Sequence, residues 1–207
     1  MAATKSTVKV PIGMRRSWFF PIATEPDSAK PTYSEKLDMG AAVKGYLTVT
    51  TASASIPGDD ITQAEIEKFV NGQLDVETTM SDLETNSKLY GHTYDAENGE
   101  VSSSEDAPPN GGYAFIEPIL TKEKKTVYRA SCFHKVCAMP SSEKQEADTK
   151  KSGELSPKNN AVSFKVLEDN TGNWRTRQDF DSMQLAESFI TTFYSAAAAS
   201  LQSAPKA

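Results

Sequence analysis

Four side chains in this sequence carry the donor atoms of a transition-metal site: Cys132, His134, Cys137 and His92. Two thiolates and two imidazoles hold zinc tetrahedrally when their spacing lets them converge. The run here reads Cys-x-His-x-x-Cys, which is not the spacing of a zinc knuckle. The odd separation of Cys132 and Cys137 places them on opposite faces of a strand, against both a shared ion and an intrachain disulfide. The pattern therefore predicts no metal and no cofactor, with Cys132 a small buried hydrophobe and His134 a partly exposed strand residue. Two unpaired thiols suit folding in a reducing cytosol.

Nucleophilic catalysis would have to use one of the two histidines in the chain. Neither His92 nor His134 lies in a nucleophile elbow, and no glycine-rich phosphate loop is present. The acid pairs Asp59-Asp60 and Asp179 with Asp181 are explained by a surface turn and a helix N-terminus. Arg15-Arg16, Lys122-Glu123-Lys124-Lys125 and Lys150-Lys151 form no stripe with interleaved aromatics, so they read as surface or subunit-contact charge. Enzyme activity is not expected. The acidic residues Glu65, Glu67, Asp75 and Glu77 carry more weight. Asp75 and Glu77 share one strand face. Their relation to Glu65 and Glu67 depends on a register that the sequence leaves open.

These residues need elements to position them, and most of the elements are strands. Residues 14–24 read as a strand with Trp18 and Phe20 on one face and Phe19 on the other, made an edge or ended by Pro21. Residues 40–51 form a second strand, and a turn signal follows at residues 56–60. Asn71-Gly72 is the dipeptide of a tight hairpin, predicting a turn between arms 63–70 and 73–80. The first arm also fits a helix through Ile66, Phe69 and Val70, but the alternation of residues 73–80 asks for a strand partner. Ser81 with Glu84 is a capping box for a helix over residues 81–90, stopped by Gly91.

Residues 113–120 and 126–139 read as a hairpin around the turn 121–125. Residues 161–167 alternate cleanly, and Asn170-Thr171-Gly172 turns the chain into a strand at residues 173–177. A helix from Asp181 or Ser182 to residue 201 carries Met183, Ala186, Phe189, Ile190 and Phe193 on one stripe. Three hydrophilic stretches, residues 25–39, 95–109 and 140–158, read as long loops, which compact domains seldom carry unless they are functional or disordered. The fold class that follows is mainly β (α+β): a β-sandwich or small barrel with a flanking helix. Residues 1–13 form an N-terminal arm, residues 14–201 a single domain, and residues 202–207 a frayed end.

The chain of 207 residues is 38% hydrophobic and 24% charged, enough apolar matter for one core. Its 22 Lys and Arg against 28 Asp and Glu give a net charge of −6, which repels free nucleic acid. No segment has the length or apolarity of a signal peptide or a membrane span.

At Leu89-Tyr90-Gly91-His92-Thr93-Tyr94-Asp95 the chain resembles the major tail proteins, or tail tube proteins, of long-tailed bacteriophages with non-contractile tails. The likeness continues through Gly112-Tyr113-Ala114-Phe115, Tyr128-Arg129-Ala130 and Phe133-His134-Lys135-Val136. It extends to Pro140-Ser141-Ser142, Thr149-Lys150-Lys151, Ser156-Pro157, Gly172-Asn173-Trp174-Arg175 and the aromatic helix with Phe189 and Phe193. The resemblance covers residues 40–194.

It implies a structural subunit that forms hexameric rings with copies of itself. These rings stack into a tube that conducts double-stranded DNA without binding it. Tape-measure, tail-tip and terminator proteins are the other implied partners, and the virion tail, assembled in the host cytoplasm, is the implied location. Under this expectation Glu65, Glu67, Asp75 and Glu77 are candidates for an electronegative channel wall. The three long loops become stacking arms, mobile in the monomer, with Asp27, Lys30, Glu143, Lys150 and Lys151 as candidate contacts between subunits. The alternative is a β-sandwich carbohydrate- or receptor-binding module, its aromatic platform drawn from Tyr113 and Tyr128 or from Trp18 and Trp174.

Overall fold

Strict alternation of apolar and polar residues fixes which segments can cover a core as strands. The computed structural model, which describes residues 9–58, 61–79, 82–143 and 159–195, follows that alternation most closely in the second half of the chain. Strands β9 (Asn110–Thr121) and β10 (Thr126–Ala138) form the expected hairpin, closed by a Thr121 N–H to Lys125 carbonyl bond of 2.9 Å. Tyr113 and Phe115 of β9 enter one apolar cluster, while Ala114 and Ile116 enter a second on the opposite face. Strand β2 (Arg15–Thr24) lies beside β9 and divides its aromatics as predicted, Phe19 to the first cluster and Trp18 and Phe20 to the second.

The sheet continues from β10 to β11 (Asn160–Leu167), then β6 (Ile61–Thr78), then β5 (Ala42–Gly58), every pair antiparallel. Strand β12 (Arg175–Phe180) pairs with the part of β10 that β11 leaves free. The sheet curls on itself. Phe19 of β2 stacks on Phe164 of β11 with ring centroids 5.9 Å apart, although two strands separate β2 from β11 in the ladder. Tyr113 closes the same interior at 4.9 Å from Phe164. Helix α1 (Leu83–Tyr90) adds Leu89 and Tyr90 to this first cluster.

Helix α2 (Met183–Tyr194) covers the second cluster with the predicted stripe, burying Ala186, Ile190 and Phe193. The buried Tyr194 hydroxyl lies 2.9 Å from both the Tyr113 and Phe133 carbonyls of neighbouring strands, so its proton finds an acceptor inside the core. Gly112 makes room for it, because a Cβ there would stand 2.2 Å from the Tyr194 ring. The molecule is thus mainly β with a flanking helix, as expected.

Several local expectations are corrected. Pro21 neither ends β2 nor makes it an edge: β3 (Thr32–Tyr33) and β4 (Leu37–Asp38) fold back and pair with β2. Residues 25–39 are therefore fastened to the body, with Met39 fully buried. Residues 95–109 are likewise folded. Strand β7 (Thr93–Asp95) pairs with β8 (Gly99–Val101) across a turn in which Asp95 accepts the N–H groups of Glu97 and Asn98. The N-cap of α1 is Asp82, accepting from the Thr85 N–H; Ser81 lies outside the described residues. Helix α2 stops at Tyr194, and the rest of the expected helix and the C-terminal end lie outside the described residues.

The last strand runs to Phe180, beyond residue 177. The thiols also change places, since Phe133 pairs with Tyr113 and Val136 with Gly111, giving β10 one extra residue. That bulge resets the alternation, so Cys137 falls on the Cys132 face, and both remain free thiols. Burial pushes the Cys132 thiol up to about 12, which leaves it protonated and unreactive.

Residues 9–11 of the expected arm form β1 (Lys9–Pro11), paired with β9. Asp179 on β12 fastens them: it binds Arg129 through two nitrogens at 2.7 and 3.2 Å and Lys9 at 2.6 Å. The Arg129 guanidinium, aided by Lys9, lowers its carboxyl to about 2. A depressed carboxyl contributes stability above its unfolded value and loses it as pH falls through the folded one. Replacing Asp179 with Asn is expected to cost about 1 kcal/mol at neutral pH. Urea midpoints measured from pH 7 to pH 2 should show the difference from wild type closing only between about 4 and about 2.

Candidate functional site

The β5–β6 hairpin is the feature that the sequence misplaced. Strand β6 runs without a turn through Asn71-Gly72, and the two strands pair outward as far as Gly58 and Ile61. Asp59 and Asp60 of the expected 56–60 turn lie outside the described residues. Gly72 is required by a close approach instead, since a Cβ there would meet the Thr48 carbonyl oxygen at 3.0 Å and Val166 Cβ at 3.4 Å. Strand β11 supports β6 only from Gly72 to Thr78. Beyond that the two strands continue as a free ribbon; Thr51 to Gly58 alone spans about 23 Å at roughly 3.3 Å per residue.

A bulge at the root of the ribbon sets its faces. Thr50 pairs with Asn71 and Thr51 with Phe69, leaving Val70 extra. Phe69 thereby turns inward and stacks on Trp174, centroids 4.5 Å apart and planes 2° from parallel. The same phase puts Glu65 and Glu67 on the Phe69 face, while Asp75 and Glu77 occupy the outer face of the body. The four acids do not form one patch. Glu67 accepts from the Thr51 hydroxyl, Asp75 from Ser163 and Gln73, and Glu77 pairs with Lys44 at 3.8 Å.

Strand β5 ends the sheet, so one side of its ladder carries no partner among the described residues. Native proteins usually blunt such edges. Here Val43, Tyr46 and Val49 on β5 and Ile66 and Val70 on β6 are exposed instead, Tyr46 at 62%. The ribbon and the strand it extends thus leave an open edge and exposed apolar side chains among the described residues.

The loop candidates divide. Asp27 is exposed. Lys30 is held within the subunit, donating to the Phe193 carbonyl at 2.7 Å with its ammonium 3.1 Å above the Phe193 ring, and burial lowers it to about 8. Glu143 faces His92 at 3.2 Å. Lys150 and Lys151 lie outside the described residues. Of the aromatics considered for a sugar platform, Tyr113 and Trp18 are buried, Trp174 is covered by Phe69, and Tyr128 packs on the α2 cluster.

His134 is fully buried rather than partly exposed. Its Nδ1 lies 2.7 Å from Asp169 and its Nε2 2.8 Å from the Thr176 hydroxyl, the connectivity of a nucleophile–base–acid relay. With His134 1% and Asp169 0% exposed, no substrate reaches the imidazole. Burial lowers its pKa in spite of Asp169, so the neutral ring joins β10 to β12 and to the 169–173 turn. The sequence held no sign of this, because the partners come from the turn after β11 and from β12, 35 and 42 residues further along the chain. No known protein-family model matches the chain, and no curated protein is significantly similar to it.

Proposed function

We propose that this chain is a tail tube subunit, a structural protein that assembles with copies of itself into stacked hexameric rings enclosing a passage for double-stranded DNA. The observation that carries this reading is the β5–β6 ribbon, an extension that contributes little to the subunit's own core. Its open edge offers main-chain groups for β-pairing with a neighbouring copy, and its exposed Ile66 and Val70, with Val43, Tyr46 and Val49 on the adjoining part of β5, supply apolar surface for that contact. The net charge of −6 accords with a conduit that must not hold DNA. Asp75 and Glu77 on the outer face are the acids placed to line such a wall, whereas Glu65 and Glu67 travel with the ribbon.

The contact residues of the assembly are drawn from the ribbon and Asp27 rather than from Lys30, which is engaged within the subunit. Tape-measure, tail-tip and terminator proteins remain the other partners, and the virion tail the location. Negative-stain electron microscopy of concentrated full-length protein is the test. Hollow tubes or stacked rings with a central channel are expected. A species that stays monomeric by analytical ultracentrifugation at every accessible concentration, with or without preformed tail tips, would sink the reading.

A further inference from the structure

We propose that His92, Glu100 and Glu143 hold a divalent transition-metal ion of the zinc class. Their donor atoms lie within 4.8 Å of one another. His92 Nε2 stands 3.2 and 3.3 Å from the two oxygens of Glu143. Bonds of roughly 2.0–2.1 Å to a tetrahedral ion place neighbouring donors about 3.3 Å apart, so the spacing already matches one edge of the coordination polyhedron.

A second observation concerns the other ring nitrogen. His92 Nδ1 lies 2.8 Å from Asp106 Oδ2, and that carboxylate is held in place by the Ser103 N–H at 2.7 Å. A carboxylate behind the imidazole is the usual outer partner of a metal-bound histidine, fixing the Nδ1–H tautomer and presenting the Nε2 lone pair. The Nε2 atom faces acceptor oxygens of Glu143, a contact that either a ring proton or a metal ion makes favourable, and Glu100 beside it supplies the further donor that suits the metal. Among the described residues no Lys or Arg pairs with Glu100 or Glu143; Glu100 accepts from the Ser87 hydroxyl, and Glu143 from Asn86 at 3.4 Å.

The fold supplies rigid positions for each ligand. Gly91, at φ +80°, ends α1, and the N–H groups of Gly91 and His92 both bond the Ser87 carbonyl, which aims the imidazole outward from the helix terminus. Glu100 sits on β8, and Glu143 closes the single turn of 3-10 helix Pro140–Ser142 after β10. His92 is 10% exposed and Glu143 36%, so the ion would be reached from the Glu143 side, where water completes the fourth position. An imidazole with two carboxylates suits zinc and its neighbours rather than calcium or magnesium, which prefer oxygen alone. Three segments distant in sequence would be clipped together, fastening the β7–β8 hairpin to the end of β10.

The test uses the full chain stripped with a chelator and then titrated with Zn²⁺ by calorimetry and Co²⁺ by visible absorption. One saturable equivalent is expected, with tetrahedral Co²⁺ bands and an upward shift of the melting temperature. Glu143→Gln, an exposed change, should weaken binding at least tenfold, as should His92→Gln, while Glu97→Gln on the same hairpin leaves it unchanged. Absence of saturable binding would overturn the site, as would binding that survives both substitutions or Ca²⁺ affinity equal to that for Zn²⁺.

Discussion

Joining Thr50 to Asn71 through an Asn-Gly turn, with residues 51–70 removed, is expected to yield a folded monomer that forms no tubes. Thr50 and Asn71 are paired partners, so a two-residue type I′ connection closes the shortened hairpin without altering its register. All of the β6–β11 ladder lies on the retained side, from Gly72 to Thr78, and the curled core is untouched. The monomer loses the Phe69–Trp174 stack, worth about 1 kcal/mol beyond the area it buries. Circular dichroism and a urea midpoint should therefore change modestly. Electron microscopy and light scattering at high concentration should change completely, because the outer half of the free edge leaves together with Ile66 and Val70, although Val43, Tyr46 and Val49 stay on the retained part of β5. Tubes of normal diameter from the shortened chain would remove the ribbon from the assembly.

Replacing Phe164 with Ala is expected to cost about 3–5 kcal/mol. Phe164 is fully buried and bridges the curl, touching Phe19 of β2 and Tyr113 of β9 from the opposite wall. The surrounding strands are cross-braced by α2 and by ladder bonds, so they cannot collapse into the cavity. Against a total stability of about 5–15 kcal/mol, the loss leaves a marginal fold. The urea midpoint should fall by roughly 2 M, taking a slope of about 2 kcal/mol per M. A fall worth less than about 1 kcal/mol would mean that β2 and β11 do not face each other across one interior.

The elements that the sequence made plain are those in which a buried face imposes a strict period. Val162, Phe164 and Val166 could only be one face of a strand, and Ala186, Ile190 and Phe193 only one stripe of a helix. The ribbon was illegible for the opposite reason. Residues 51–55 and 65–68 are exposed on both faces, so nothing selects an alternating pattern; the turn signal at residues 56–60 lies where the strands meet, but Asn71-Gly72 was read as a second turn inside β6. Gly72 is demanded by the backbone of β5 and by Val166, contacts that no short window contains.

The histidines failed in a related way. His134 was read as a partly exposed strand residue, but it shares the Cys132 face that α2 covers, where Asp169 and Thr176 reach it. The surroundings of His92 come from Glu100, Asp106 and Glu143, which the chain brings together only after β8 and β10 have both been laid down.

The place of β6 between β5 and β11 also fixes an order in time. Strands β5 and β6 are consecutive, and a hairpin closes in about 1–10 μs once both arms have left the ribosome. Its other neighbour, β11, begins roughly 80 residues later, which at about 5–20 residues per second is a wait of about 4–16 s. Throughout that interval the nascent hairpin presents two open edges instead of one. The open edge on which the proposed self-assembly rests is thus doubled on the unfinished chain. The inner edge is closed only when Asn160–Leu167 arrives to pair with β6.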